Sequence, residues 1–149
     1  MRLIAILLTF GLLVGGTPGP GADAAVTLTV TVTDLRNATG TVGLALYDES
    51  AMSDFPDADP IRTDSIPADV SGVEVRFPDL PEGRYALAAI HDESGNGVLD
   101  SNDWGMPVEG FGFSNDVMGQ MGPPSFESAA FSVEEDRTVS ISMIYMGGD

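Results

Sequence analysis

The run Val26-Thr27-Leu28-Thr29-Val30-Thr31-Val32-Thr33 decides the fold class, because apolar and polar side chains alternate in it without a break. Successive side chains of a β-strand point to opposite faces, so the four aliphatic residues share one face and the four threonines share the other. β-Branched residues at every second position suit a half-buried strand. We therefore predict a strand that covers a hydrophobic core with one face and meets water with the other.

The same two-residue period returns in short segments along the chain. Residues 84–91 are almost wholly apolar, which indicates a central strand covered on both sides, and the last two segments are expected to form a closing hairpin. About seven short strands separated by turns predict an all-β fold, namely an antiparallel immunoglobulin-like or transthyretin-like β-sandwich, with a closed barrel as the alternative. After the first strand, the predicted strands cover residues 41–47, 61–66, 73–77, 84–91, 129–133 and 138–145.

The N-terminus has the three parts of a secretory signal. Arg2 supplies a positive start, residues 3–14 form an apolar run, and Ala22-Asp23-Ala24 places small residues where signal peptidase requires them. The apolar run is shorter than the roughly 20 residues that a membrane-spanning helix needs. We predict a signal peptide over residues 1–24, cleaved after Ala24, and one β-sandwich domain over residues 25–149. The location is expected to be extracytoplasmic, periplasmic or secreted, without stable membrane insertion.

The charge balance excludes several classes of partner. The 149 residues include 23 acids, six basic residues that are all arginine, and no cysteine, and the formal net charge is −17. Such a chain repels nucleic acid, which proteins bind chiefly by neutralising phosphates. Without cysteine it has no disulfide, no thiol nucleophile and no thiolate metal site. The abundance of acids without lysine also suggests the hypothesis of a halophilic source.

The loop Asp92–Asp103 has the spacing of a twelve-residue calcium loop. With Asp92 as position one, oxygen-bearing side chains fall at positions one, three, five, nine and twelve, and Gly97 falls at position six. Ca²⁺ takes about six to eight oxygen ligands, and glycine permits the bend that turns a backbone carbonyl inward. We predict Ca²⁺ as cofactor and partner. The predicted ligands are Asp92, Ser94, Asn96, Val98 through its carbonyl, Asp100 and Asp103.

The match with a calcium loop departs from the EF-hand pattern in two ways. Asp103 stands where glutamate is usual, and no helices flank the loop. The alternative is a turn rich in Asp and Asn whose side chains cap their own backbone amides without an ion. Both interpretations stay open from the sequence.

Residues 105–126, rich in glycine and aromatics, offer a second candidate site. A possible ligand surface there would make the chain a small-molecule or carbohydrate binder, with the protein or glycan partner unspecified. The favoured alternative is that the phenylalanines fill the core and the glycines adopt unusual backbone angles. The candidate surface consists of Glu109, Phe111, Phe113, Ser114 and Asn115.

His91 is the one histidine of the chain, so a Ser-His-Asp hydrolase would have to use it. The favoured interpretation is a structural histidine that hydrogen-bonds loop backbone. We therefore predict a non-enzymatic module without catalytic residues, and a hydrolase is the least favoured alternative.

Four motifs together point to one family. They are Leu80-Pro81-Glu82-Gly83-Arg84-Tyr85-Ala86, the run from His91 to Asp100, the run from Gly105 to Asn115, and Gly122-Pro123-Pro124-Ser125-Phe126. With these motifs the chain resembles the secreted bacterial family catalogued as domain of unknown function 2141. The resemblance implies an extracytoplasmic β-sandwich domain with no established activity and no known catalytic residues. The family often has Asn at the position of Ser94, and Asn would also supply an oxygen ligand.

Overall fold

Eight strands and very little helix make up the computed structural model, which describes residues 24–147. The helical segments are two 3-10 turns, Glu49–Ala51 and Ser114–Asp116, and one short helix, α1 (Phe126–Ala129). The strands are β1 (Val26–Thr33), β2 (Thr41–Asp48), β3 (Arg62–Pro67), β4 (Val73–Leu80), β5 (Gly83–Asp92), β6 (Gly110–Phe113), β7 (Phe131–Val133) and β8 (Arg137–Ser142).

The strands form two sheets. One sheet has three strands in the order β4-β1-β8, and the other has five strands, in which β3-β2-β5-β6 follow one another and β7 also pairs with β5. Every strand pair is antiparallel except β1 with β8, which is parallel. The prediction of an all-β fold with two antiparallel-dominated sheets is confirmed.

The core lies where the two sheets face each other. The apolar residues of β1 are buried and its threonines are partly exposed, as the alternation predicts. Leu28 and Val30 of β1 pack in one hydrophobic cluster with Leu44 and Leu46 of β2 and Leu87 of β5. Burying such side chains is worth about 1.5–3 kcal/mol each, so this cluster is the main source of stability.

A second hydrophobic cluster covers part of the other face of the five-stranded sheet. Phe55, from the connection between β2 and β3, packs there against Tyr47, Phe113 and Phe126 with edge-on ring contacts. The sheet is therefore apolar on both faces, which explains why β5 is almost wholly apolar and confirms that it is a central strand.

The predicted closing hairpin is wrong. β7 pairs with β5, whereas β8 joins the other sheet and runs parallel to β1. Alternation shows which face of a strand is buried but not which strand lies beside it. β8 also ends at Ser142 rather than at Tyr145, because Ile144 exchanges backbone hydrogen bonds with Phe111 of β6.

Strand β6 lies inside a segment that the sequence indicates to be loop. Its Phe-Gly alternation leaves one face without side chains, and the expectation of unusual backbone angles is wrong for Gly110 and Gly112, since neither has a positive φ. A Cβ atom on Gly112 would lie 2.7 Å from Cγ2 of Ile141 and 2.9 Å from the carbonyl oxygen of Ser142. These glycines therefore allow the end of β8 and the residues after it to approach β6 closely.

The predicted signal peptide lies outside the described residues, apart from Ala24. Between residues 24 and 147, no helix combines the length and the apolar character that crossing a bilayer requires.

We expect Gly112→Ala to lower the free energy of unfolding by about 1–3 kcal/mol, because the added methyl group has to displace backbone. Urea denaturation followed by circular dichroism measures the change. Gly83→Ala is the matched control, since its Cβ would make an ordinary contact of 3.7 Å with the Tyr85 ring. Equal stability of the two variants would contradict the close approach of β6 and the end of β8.

Candidate functional site

Asp92, the last residue of β5, organises the loop that follows it. Asp92 is only 4% exposed, and its two carboxylate oxygens accept hydrogen bonds from three backbone N–H groups. Oδ1 accepts from Gly95 at 2.8 Å and Asn96 at 3.2 Å, and Oδ2 accepts from Gly97 at 2.8 Å. Gly95 and Gly97 have φ values of 76° and 81°, which favour glycine, so the loop winds around this carboxylate.

Hydrogen bonding lowers the pKa of Asp92. The amide of Gly97 is the largest cause, desolvation of the carboxylate acts in the opposite direction, and the amides of Gly95 and Asn96 add to the lowering. These donors favour the charged form. The carboxylate therefore stabilises the folded state above its ordinary pKa, and this contribution is lost as the pH falls through the lowered value.

Glu109 is a second buried carboxylate in the same loop. It is 4% exposed, and it accepts from the backbone N–H of Ser94 at 2.9 Å and from that of Asp100 at 3.0 Å. Because Glu109 directly precedes β6, these two bonds fasten the loop to the edge of the five-stranded sheet. The sequence predicts Glu109 only as part of a ligand surface. Its role in the loop was missed, because a residue seventeen positions after Asp92 lies outside the twelve-residue motif.

The structure connects four of the predicted calcium ligands. The Ser94 hydroxyl lies 3.3 Å from Oδ1 of Asp92, and Nδ2 of Asn96 donates to Oδ1 of Asp100 at 2.7 Å. The Asn96 side-chain oxygen accepts from the N–H of Val98 at 3.0 Å. Within residues 24–147, no three His, Asp or Glu side chains are grouped so that they could hold a metal ion.

The structure does not bring Asp103 to the other predicted ligands. Asp103 is exposed in a turn that begins after the bridge between Ser101 and Pro107, and Asn102 caps this turn by accepting from the N–H groups of Trp104 and Met106. The loop thus displays the capping of backbone amides that the sequence offers as an alternative. A carboxylate has about four lone-pair sites, so the Asp92 carboxylate, which accepts four of these bonds, is filled, while the Asp100 carboxylate, which accepts one, remains open to further ligation.

His91 is completely buried, and both of its ring nitrogens are hydrogen-bonded. Nε2 lies 2.8 Å from the Thr39 carbonyl oxygen, which can only accept, so Nε2 carries the hydrogen. Nδ1 therefore accepts from the Tyr145 hydroxyl at 2.7 Å, and that hydroxyl in turn accepts from the N–H of Arg36 at 3.1 Å. The imidazole links the turn before β2 to the C-terminal segment.

The predicted ligand surface of residues 109–115 is mostly buried. The Ser114 hydroxyl donates to the Ala129 carbonyl at 2.6 Å and accepts from the N–H of Leu87 at 2.9 Å. Asn115, which is exposed, donates through Nδ2 to the carbonyls of Ser128 and Ala130. Phe111 and Phe113 are each 8% exposed and pack in the second hydrophobic cluster. These residues hold β6 and its following turn against α1 and β7.

The fold and the loop define an acidic β-sandwich domain in which two buried carboxylates order the long connection after the central strand. Residues 30–142, from β1 to the end of β8, match the model of the family described as "Uncharacterized protein conserved in bacteria (DUF2141)". The chain belongs to this family, and the resemblance noted from its motifs is confirmed. No curated protein and no solved structure matches the chain.

We expect Glu109→Ala to lower the free energy of unfolding by about 1–3 kcal/mol, because it leaves two backbone amides without an acceptor. Hydrogen exchange at the amides of Ser94 and Asp100, followed by NMR, should accelerate more than exchange in β1. Glu82→Ala, at an exposed glutamate between β4 and β5, is the control. Unchanged exchange at both amides in Glu109→Ala would show that the carboxylate does not hold the loop.

Proposed function

We propose that the chain is a non-enzymatic extracytoplasmic β-sandwich module whose loop, Asp92–Asp103, is stabilised by Ca²⁺. The observation that carries the proposal is the winding of this loop around Asp92, which brings oxygen-bearing side chains at motif positions one, three, five and nine into two contacting pairs. Ca²⁺ prefers carboxylate, amide and carbonyl oxygens, and a wound loop supplies these from alternate residues.

Charge around the loop favours a cation. Asp92, Asp100, Asp103 and Glu109 lie in or beside it, and Glu93 forms an ion pair with Arg36. The Arg36 side chain is the main reason that the pKa of Glu93 is lowered. A bound divalent cation would reduce the repulsion among the remaining carboxylates, which carry no such partner in the motif itself.

The proposed ligand set holds few charges. Asp92 and Asp100 supply carboxylates, and Ser94, Asn96 and the Val98 carbonyl supply neutral oxygens, while water completes the shell unless the turn carrying Asp103 moves inward. Sites with few charges bind weakly, and we expect a dissociation constant of roughly 10⁻⁴ to 10⁻³ M, the range of extracellular calcium modules.

Two observations support a role outside catalysis and outside the cytoplasm. His91 has both nitrogens engaged in structural hydrogen bonds and is fully buried, so it is poorly suited to act as a general base. The N-terminal residues have the composition of a secretory signal.

Calorimetric titration of the EGTA-treated protein with CaCl₂ should give saturable heat. With the expected affinity, about 10 mM Ca²⁺ stabilises the fold by about 1–3 kcal/mol. Thermal unfolding measures this shift, and NaCl at matched ionic strength is the control, because salt also screens the net charge of −17. Equal shifts in CaCl₂ and matched NaCl, without heat in the titration, would contradict the proposal.

A pair of variants locates the ion. Asp100→Asn removes the charge of a proposed ligand, and Asp59→Asn makes the same change of charge at an exposed acid between β2 and β3. We expect only Asp100→Asn to weaken Ca²⁺ binding, by about tenfold, which corresponds to about 1.4 kcal/mol. Equal weakening in the two variants would indicate general screening of acidic charge rather than a site in the loop.

A further inference from the structure

A groove of about 820 Å³ lies on the outer face of the five-stranded sheet, the face turned away from the core between the sheets. It is built by β2, β3, β5 and β6 together with the first part of the loop after β5. Its volume falls within the range of about 300–1,000 Å³ that is typical of small-molecule sites.

Strand register arranges the groove in two parallel rows across the sheet. Each row begins with a hydroxyl on β3, crosses small or aliphatic residues on β2 and β5, and ends with a phenylalanine on β6. One row is Thr63, Ala45, Ala88 and Phe113, and the other is Ser65, Gly43, Ile90 and Phe111. The groove therefore has a polar side along β3 and an aromatic side along β6.

The floor of the groove lies close to the sheet backbone because the residues that form it have small side chains. Gly43, Ala45 and Ala88 lie opposite one another or next to one another on β2 and β5, and all three remain partly exposed. Elsewhere on this face, larger side chains such as Phe55 and Phe126 cover the sheet. The small residues leave open apolar surface on the central strands, where a sandwich would otherwise be filled by side chains.

Ordered segments border both ends of the groove. At one end lie Gly97 and Leu99 of the loop that Asp92 organises. At the other end lie Tyr47 and Pro56, and the Tyr47 hydroxyl donates to the Pro56 carbonyl at 2.9 Å. A preformed cavity binds a ligand without first paying for the ordering of its walls.

The lining determines the class of ligand. The ionisable side chains on this face are Asp92 and Tyr47, and the lining contains no Arg, Lys or His, so an anion would find no positive charge to pair with. The Asp92 oxygens already accept backbone amides, while the hydroxyls of Thr63 and Ser65 are exposed and form no hydrogen bond within the described chain. Phe111 and Phe113 are each only 8% exposed, so only a small part of each ring borders the groove, which is too little for a sugar to stack on.

We propose that this groove is a binding site for an uncharged amphipathic small molecule, whose apolar body lies on Gly43, Ala45 and Ala88 against the aromatic side, and whose hydroxyl or carbonyl groups meet Thr63 and Ser65. The proposal depends on the groove alone and does not require Ca²⁺ in the loop.

Two dyes with the same ring system test the charge preference. N-phenyl-1-naphthylamine is uncharged, and 1-anilinonaphthalene-8-sulfonate adds one sulfonate. Titration of the folded protein with the uncharged dye should give saturable fluorescence enhancement, and the sulfonated dye should bind at least about tenfold more weakly. Absent saturation with the uncharged dye, or tighter binding of the sulfonated one, would overturn the proposal.

Variants place the dye in the groove. Ala45→Leu fills the floor and should weaken binding of the uncharged dye by at least about tenfold, while Ala38→Leu, the same change at an exposed turn residue, should leave it unchanged. Thr63→Trp blocks the groove from an exposed position on the edge strand, so it keeps the test valid if Ala45→Leu does not fold. Binding that survives in every folded groove variant would place the dye elsewhere and overturn the proposal.

Discussion

Hydrogen bonds from backbone amides to the buried carboxylates of Asp92 and Glu109 are the interaction on which the half of the molecule that carries the proposed sites depends. A charge out of water is costly unless it is fully hydrogen-bonded, and here two carboxylates accept five amides between them. Ordering the connection between β5 and β6 costs conformational entropy at every residue, and its exposed, polar composition offers little apolar burial in return. The carboxylates supply the compensating interactions, and Glu109 directly precedes the first residue of β6.

The ordered loop and the groove belong to the same half of the fold. Leu99 lines the end of the groove and packs against the second hydrophobic cluster, and β6 contributes the aromatic side. The negative net charge of the chain affects both features. It favours a cation in a loop rich in carboxylates, and it disfavours an anion in a groove whose lining includes Asp92 and no basic residue.

Local patterns in the sequence predicted a large part of this architecture. The alternation of apolar and polar residues predicted β1 over its full length, and the apolar run of residues 84–91 identified the central strand. Asp92 stood out through motif spacing, and the structure connects it with Ser94 and Asn96 of the same motif. β6 escaped prediction because glycine leaves no side chain on alternate positions, so the two-residue hydrophobic period has no polar half to mark it.

The sequence by itself determined which residues of β1 are buried, which loop is acidic, and that the chain is all-β, because these properties depend on residues close together along the chain. Only the tertiary structure decided that β8 lies parallel to β1 rather than in a hairpin with β7, and that Glu109 accepts from Ser94. It also decided that Thr63, Ala45, Ala88 and Phe113 form one row. Strand partners and register follow from the summed packing of both sheets, and no local pattern encodes that sum.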